Sequence, residues 1–416
     1  MNKKILTTLI AGGVALAAVS AVADSKSPAT PASPSLKITG LYRALIVGTS
    51  QKVRTNKGSQ VMNHGNFTFN AGGVANNGLS YGLMAVLELD RARKNSDKFT
   101  ETYAYAGSDA IGDFQFGDTQ GVSSIMMYDA SDITGAGGFD ANLDKQLNIT
   151  RGVDFNQGIG YVSDGSARAG KITWMSPEVS GYQIGISYVP ETSQYGRLPN
   201  TGALDSNGKI LAGSAPYATN LLEGAASFTT DAGPYTVGLY LVGVTGKAKK
   251  PRNAGLASGD LNPVQAWQIG TLVDYESWQF GAGYFNNGKS YMRKYTVDAT
   301  GKATSTPTNF TNTRGYNVGV AYGMGPVNLA LGHTGTERTV TSGKAKADIS
   351  SFSVDCSVAD GLAVYGGISY FNFKSPAAHI YNTTNFVPSV DYLDAQPSSN
   401  KNNSGTAVVL GTRITF

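Results

Sequence analysis

From Leu36 onward the sequence alternates at two scales. Within runs of about ten residues, apolar and polar side chains trade places with a period of two, the signature of a strand buried on one face. In the first run, Leu36–Gly48, the residues Leu36, Ile38, Tyr42, Ala44 and Ile46 oppose Lys37, Thr39, Leu41 and Arg43. In the third, Leu79, Tyr81, Leu83, Ala85, Leu87 and Leu89 oppose Ser80, Gly82, Glu88 and Asp90. The larger alternation lies between runs. Short turns such as Asp231-Ala232-Gly233-Pro234, Glu276-Ser277 and Asp360-Gly361 take turns with long polar loops. Sixteen runs result, joined by seven short and eight long connections. An even strand number with this alternation places both termini on one side and predicts an all-β, antiparallel, up-and-down transmembrane barrel. No run is continuously apolar, which excludes a buried parallel sheet.

Composition narrows the choice further. Beyond the N-terminus no run of 18 apolar residues occurs, so no helix is predicted to span a membrane. The chain holds 52 Gly, 22 Tyr and 16 Phe with only 15% charged residues, and its mean hydropathy is −0.16. These values suit strands that are apolar on one face only and enclose a wet interior, although a soluble β-sandwich array would share some of them. Aromatic pairs near strand ends (Tyr182 and Tyr188, Tyr275 and Trp278, Tyr284 and Phe285, Tyr370 and Phe371) predict interfacial girdles.

The N-terminus reads as a secretory signal peptide over residues 1–23. Lys3 and Lys4 precede an apolar Ile5–Val19, and Ala21-Val22-Ala23 forms the cleavage site. Residues 24–35 are Pro/Ser/Ala-rich and read as an extended tether, leaving 36–416 for the barrel. Cleavage lowers the formal charge from +4 to about +2, which excludes a nucleic-acid partner. The single cysteine, Cys356, rules out an internal disulfide.

One connection stands apart. Thr119–Ala169 is far longer than ordinary loops, and loops of that length are usually functional. It carries Asp129, Asp132, Asp140, Asp144, Asp154 and Asp164 against Lys145, Arg151 and Arg168. Its expected place is inside the barrel, where it would narrow the lumen. Strand parity points Arg43, Lys171 and Arg413 inward, with Arg43 nearest mid-height, and Glu88 and Asp90 inward as well. The candidate constriction set is therefore Asp129, Asp132, Asp140 and Asp144 from the loop, with Arg43, Glu88, Asp90 and Lys171 from the wall. Opposite charges across such an opening focus a field on passing solutes. Each aspartate has an alternative use, capping a turn within the loop. Catalytic chemistry is not expected: His64, His333 and His379 lie far apart, and no Gly-x-Ser-x-Gly elbow or phosphate loop occurs. Neither metal nor cofactor is implied. A surface adhesin or closed barrel remains a separate reading, carried by the polar loops around Lys247–Arg252 and Asp298–Thr313.

Three places carry a family resemblance. The C-terminal run Val408–Phe416, with apolar residues at alternate positions and a terminal Phe, resembles the assembly signal of Gram-negative outer-membrane proteins. Met175-Ser176-Pro177-Glu178-Val179-Ser180-Gly181-Tyr182 is similar to the Y-x-S-P-x-x-x-G-Y passage of general porins. Glu101–Tyr105 followed by Ile111–Gly117 resembles the passage before the porin constriction loop. The resemblance implies a homotrimeric, sixteen-stranded general porin of the outer membrane, bedded in lipid. It would be delivered by the outer-membrane assembly machinery, which reads Phe416, and would pass small hydrophilic solutes and ions; a channel selective for one solute class is the alternative. By that resemblance Thr119–Ala169 is the third extracellular loop. It departs from the enterobacterial pattern, because Gly135-Ala136-Gly137-Gly138-Phe139 stands where a Pro-Glu-Phe-Gly-Gly tip carries a carboxylate.

Overall fold

The computed structural model describes residues 32–53, 58–89, 99–139, 147, 169–192, 217–249, 261–291, 313–340, 343–374 and 402–416. They form a closed barrel of sixteen antiparallel strands, each paired with its neighbours in sequence. In order these are β1 (Ala32–Gln51), β2 (Ser59–Val74), β3 (Ser80–Glu88), β4 (Phe99–Ser108), β5 (Gly112–Asp118), β6 (Gly170–Met175), β7 (Tyr182–Glu191) and β8 (Tyr217–Ala232). Then follow β9 (Tyr235–Lys249), β10 (Val264–Tyr275), β11 (Trp278–Asn286), β12 (Arg314–Met324), β13 (Val327–Val340), β14 (Gly343–Ala359), β15 (Leu362–Lys374) and β16 (Asn402–Thr415). Among the described residues no helix is long and apolar enough to cross a membrane.

The seam between β1 and β16 closes the ladder, from Leu41↔Thr415 to Gln51↔Gly405. Beyond it, Gly40 and Phe416 exchange two backbone hydrogen bonds of 2.9 and 3.1 Å. The Phe416 ring lies over Gly40, where any Cβ would come within 2.3 Å of it. The ring also meets Phe67 edge-on at 5.6 Å between centroids. A missing side chain on the first strand thus seats the last residue of the chain.

The outer face is an apolar band: Ile38, Leu83, Ile184, Leu241, Ile269, Leu331 and Leu410 all point out and are exposed. Aromatic residues edge it. On the short-turn side Tyr235 stacks on Tyr275 at 4.7 Å, and Trp278 packs on Tyr322 at 4.6 Å. Toward the long loops Trp267 packs on Tyr284 at 5.5 Å. The turn Asp360-Gly361 reverses the chain with Gly361 at φ +75°, a conformation that favours glycine.

The structure departs from the sequence reading in four places. First, β1 starts at Ala32, so Ala32–Ser35 of the expected tether pairs with β2, through an irregular register where Pro34 offers no N–H. Second, the connection between β13 and β14 is not one of the eight long ones: it spans only residues 341 and 342, because the two strands stay paired up to Val340↔Gly343. Third, Phe285 and Phe371 are buried, whereas Tyr284 and Tyr370 are exposed. Adjacent strand residues face opposite ways, so these pairs place one member each in the girdle. Fourth, the inner face is not uniformly polar. Leu221, Tyr240, Val242, Val264 and Phe285 form one inward apolar cluster. Leu45, Val47, Ile349, Phe371, Phe373 and Val409 form part of a second.

Two changes at the seam have a defined outcome. Deleting Phe416 removes two backbone hydrogen bonds, at about 1 kcal/mol each, and the ring contacts. Gly40→Val keeps the bonds and expels the ring. Both variants should convert from folded to unfolded bands at lower temperature on denaturing gels, and the deletion should also lower the amount reaching the outer membrane. An unchanged conversion temperature in Gly40→Val would separate the seam's stability from the ring.

Candidate constriction site

The described part of the long connection, Thr119–Phe139, runs along the inner wall from β6 toward β15. Lys171, inward-facing on β6 and buried, stitches its two ends together. Its Nζ donates to the carbonyls of Thr119 and Ala169, the latter at 2.8 Å. The segment forms two single-turn helices, α1 (Val122–Ile125) and α2 (Ala130–Ile133).

Polar side chains projecting inward from the wall hold this segment by its orphan groups. Ser187 Oγ on β7 accepts from Val122 N at 2.9 Å. Glu223 on β8 accepts from Ser123 N at 3.2 Å and from Ser123 Oγ at 2.6 Å. Gln268 Nε2 on β10 donates to Asp129 Oδ2 at 3.0 Å and to Tyr240 Oη at 2.6 Å. Asn317 Oδ1 on β12 accepts from Ala130 N at 3.2 Å. Ser353 Oγ on β14 donates to the Thr134 carbonyl. Tyr128 Oη donates to the Leu239 carbonyl at 2.6 Å, and burial pushes its phenol up to about 12, which keeps it a neutral donor.

Between these anchors the wall gives way. Inward glycines stand where the loop comes closest: Gly185 beneath Val122 and Met126, Gly238 beneath Tyr128, Gly281 and Gly283 beneath Ala130 and Asp129, and Gly332 beneath Phe139. At the tip the approach is backbone on backbone. A Cβ on Gly367 would lie 1.9 Å from the Gly137 carbonyl, and one on Gly137 would lie 2.4 Å from the Gly366 carbonyl.

Beside the tip lies a charged cluster. Asp355 on β14 accepts a hydrogen bond from the backbone N–H of Ala136, and Arg413 and Arg43 are close enough to act on its charge. Arg43 on β1 stands directly across from Arg413 on β16 and from His64 on β2, so three basic residues occupy one cross-strand row. Like charges placed opposite one another destabilise a sheet, which gives the nearby carboxylate a structural role as well.

The candidate residues fall into distinct places. Asp129 is buried; it caps α2 through Ser131 N at 2.9 Å and takes the Gln268 bond. Its carboxylate is thus used within the loop and its seat, on the side of the barrel away from Arg43. Asp132 completes the capping box by accepting from Asp129 N at 2.7 Å, yet remains exposed. Arg43 and Glu88 are half-buried on the inner wall, and Glu88 pairs across to Asn66. Lys171 lies beneath the loop ends. Asp90, Asp140 and Asp144 lie outside the described residues. Sequence reasoning missed Glu223, Gln268, Asn317, Ser353 and Asp355. For Glu223, Gln268 and Asn317 the signal was a lone polar side chain at inward parity in a run otherwise apolar or small, as in Leu221-Leu222-Glu223-Gly224-Ala225, whereas Ser353 and Asp355 lie in a run already rich in polar residues.

A closed sixteen-stranded barrel with an apolar outer band and a segment seated on its inner wall is an outer-membrane barrel. The chain belongs to the Gram-negative porin family, whose model matches residues 7–376. It is an outer-membrane porin, a multi-pass β-barrel. An uncharacterized protein of Rickettsia conorii is 24% identical over 383 residues, covering 80% of each chain. Another, of Rickettsia prowazekii, is 24% identical over 312 residues, covering 67% of this chain and 63% of that one. The solved anion-selective porin from Comamonas acidovorans superposes with a TM-score of 0.56 at 15% identity, covering 92% of this chain and all of that one. The trimer form of Vibrio cholerae OmpT, an outer membrane protein, gives 0.55 at 12% identity, with 92% of this chain and 100% of that one covered. At these identities the likeness shows the fold.

The tip's seat is testable on its own. Gly367→Val puts side-chain atoms where the Gly137 carbonyl lies, so the tip must leave the wall. A spin label on Ala136→Cys, in a Cys356→Ser background, should report increased mobility in the Gly367→Val variant. The same label in a Gly243→Val control, where a Cβ meets nothing closer than 3.9 Å, should not change.

Proposed function

We propose that the barrel passes small hydrophilic solutes and ions across the outer membrane by passive diffusion, through a lumen that the Thr119–Ala169 segment narrows. The observation that carries this reading is the seating of Thr119–Phe139 on inward-facing residues from β6 to β15. A segment held against the inner wall takes cross-section from the lumen without closing the ladder's interior. The charges flanking it then set ion preference. Asp132 on the loop side and the Arg43 and Arg413 pair on the other are the fixed charges of this arrangement, with Asp355 offsetting part of the basic pair. No bond is made or broken in such transport, so no catalytic group or cofactor is required.

Export precedes this function, with residues 1–23 removed as a signal peptide. The working unit is a homotrimer. Support comes from the exposed apolar residues Leu36, Ile38 and Leu83 on the outer face of the first strands, and from the trimer form of the similar Vibrio cholerae protein. Native gels in mild detergent should run at three chains; a monomer alone would remove this part of the reading.

Reversal potentials in a salt gradient across a planar bilayer test the mechanism. Arg43→Ala should raise the cation-to-anion permeability ratio by about twofold, and Asp132→Asn should lower it by a similar factor. Asp129→Asn should leave selectivity nearly unchanged, because that carboxylate is buried and hydrogen-bonded. A barrel that conducts no steady current, or one whose selectivity ignores both Arg43 and Asp132, would overturn the proposal.

A further inference from the structure

Three polar side chains meet on the outer face of β12–β14. His333 shares the outward parity of the exposed Leu331 on β13, and the register sets Ser350 of β14 directly across from it. The Ser350 hydroxyl donates to His333 Nδ1 at 2.8 Å in the tautomer that carries its proton on Nε2. That nitrogen then donates to Tyr316 Oη of β12 at 3.3 Å. His333 is 17 residues from either partner, so only strand pairing brings the three together. An imidazole beside hydrocarbon costs free energy, and ionisable groups there are seldom without function. The two hydrogen bonds offset part of that cost, but apolar residues at the same positions would avoid it altogether.

Two further features set an ester beside this trio. The first is depth. Tyr316 stands directly across from Tyr284, which packs on Trp267 in the aromatic edge toward the long loops. His333 and Ser350 therefore lie just beneath the interface, where the ester linkages of membrane lipids begin. The second is shape. His333 and Ser350 border an open concavity of about 640 Å³, and Leu331, Phe352 and Ile368 line it with apolar surface. Those three residues are cross-strand neighbours in the row on the short-turn side of the pair, the side on which an acyl chain would run. Tyr370 of β15 stands across from Ser350, is exposed, and borders the same concavity.

The geometry points to a further activity on the outer face, hydrolysis of an acyl ester of a membrane lipid, with Ser350 as nucleophile and His333 as general base. The acyl chain lies over Leu331, Phe352 and Ile368, which presents the ester carbonyl to Ser350. Ser350 Oγ bonds to the carbonyl carbon as its proton passes to His333 Nδ1. The Tyr370 hydroxyl donates to the oxyanion that forms. The carbon–oxygen bond to the alcohol then breaks, and His333 returns the proton to the departing alkoxide. Water from the interface, deprotonated by His333, cleaves the acyl-Ser350 ester, releasing the fatty acid and restoring the serine. Tyr316 is a positioning residue that holds the imidazole in the working tautomer. The activity uses only the lipid-facing side of the wall and is independent of how the lumen conducts.

The test uses the full-length barrel in mixed micelles, with mass spectrometry reading the fatty acid released. Two substrates are supplied separately, a diacyl glycerophospholipid and an ester-acylated glucosamine disaccharide lipid, and turnover of either one identifies the source of the ester. Ser350→Ala, His333→Ala and Tyr370→Phe should each lower turnover by about a hundredfold or more. Tyr316→Phe should lower kcat several-fold with KM unchanged, the mark of a lost positioning contact. Single-channel conductance serves as the control that each variant is folded, since all four side chains lie on the outer face. A fluorophosphonate probe on the wild-type barrel should mark Ser350, a readout that depends on no variant. Release of no fatty acid from either lipid overturns the inference. So does turnover that survives in Ser350→Ala, or a wild-type Ser350 that the probe leaves unmarked.

Discussion

Everything in this molecule rests on the closure of a hydrogen-bond ladder in a medium that offers no substitute for it. In hydrocarbon an unmet backbone N–H or carbonyl costs several kcal/mol, so a sheet exposed to lipid cannot have an edge. The β1–β16 seam removes that edge, and the Gly40–Phe416 contact extends it by one further pair of bonds. Closure also divides the side chains. Once the ladder is complete, period two sends every residue either to lipid or to the lumen, and all later design consists of choosing which kind goes where.

The lumen side has been chosen with a segment of the same chain in mind. Wall strands from β7 to β15 offer it either a polar anchor or a gap. Ser187, Glu223, Gln268, Asn317 and Ser353 satisfy the groups that two one-turn helices leave unpaired. Gly185, Gly238, Gly281, Gly283, Gly332 and Gly367 let it approach. Two inward apolar clusters, which would be out of place in a plain water-filled tube, include loop residues: Val122 and Met126 in one, Ala130 and Phe139 in the other. The segment is thus packed as a core element is packed, with buried apolar area and satisfied hydrogen bonds, even though it lies inside a barrel.

Strand number, order and most strand positions were legible in the sequence, because each strand is amphipathic and each short turn carries its own residue signature. Inner packing was harder to read. Alternation finds the face that differs from its partner, and it fails where both faces are apolar, as at Leu45-Ile46-Val47 or Leu241-Val242. Such runs were the available sign that something covers the inner face. The long loop could be recognised by length and its aspartates by charge, but a sequence does not say whether a carboxylate looks at solvent or at the next amide. Asp129 and Asp132 are three residues apart in one capping box, yet Asp129 is buried against Gln268 and Gly283 of the wall while Asp132 is exposed. Arg43 shares its cross-strand row with Arg413 and His64. Its partners, Arg413 across one seam and Asp355 across two further strands, depend on closure of the barrel, which no local pattern encodes.

The tip of the long segment meets the wall through main-chain atoms at Gly137 and Gly367, on β15. The basic row beside it stands on β16, β1 and β2. Where the loop sits and what charge it faces are therefore separate mutational targets. A lineage facing new nutrients or new toxins could rewrite the electrostatics one side chain at a time while the backbone contact stayed as it is. A single methyl group at the glycine contact would do the reverse, altering the geometry for every solute at once and leaving the charges untouched.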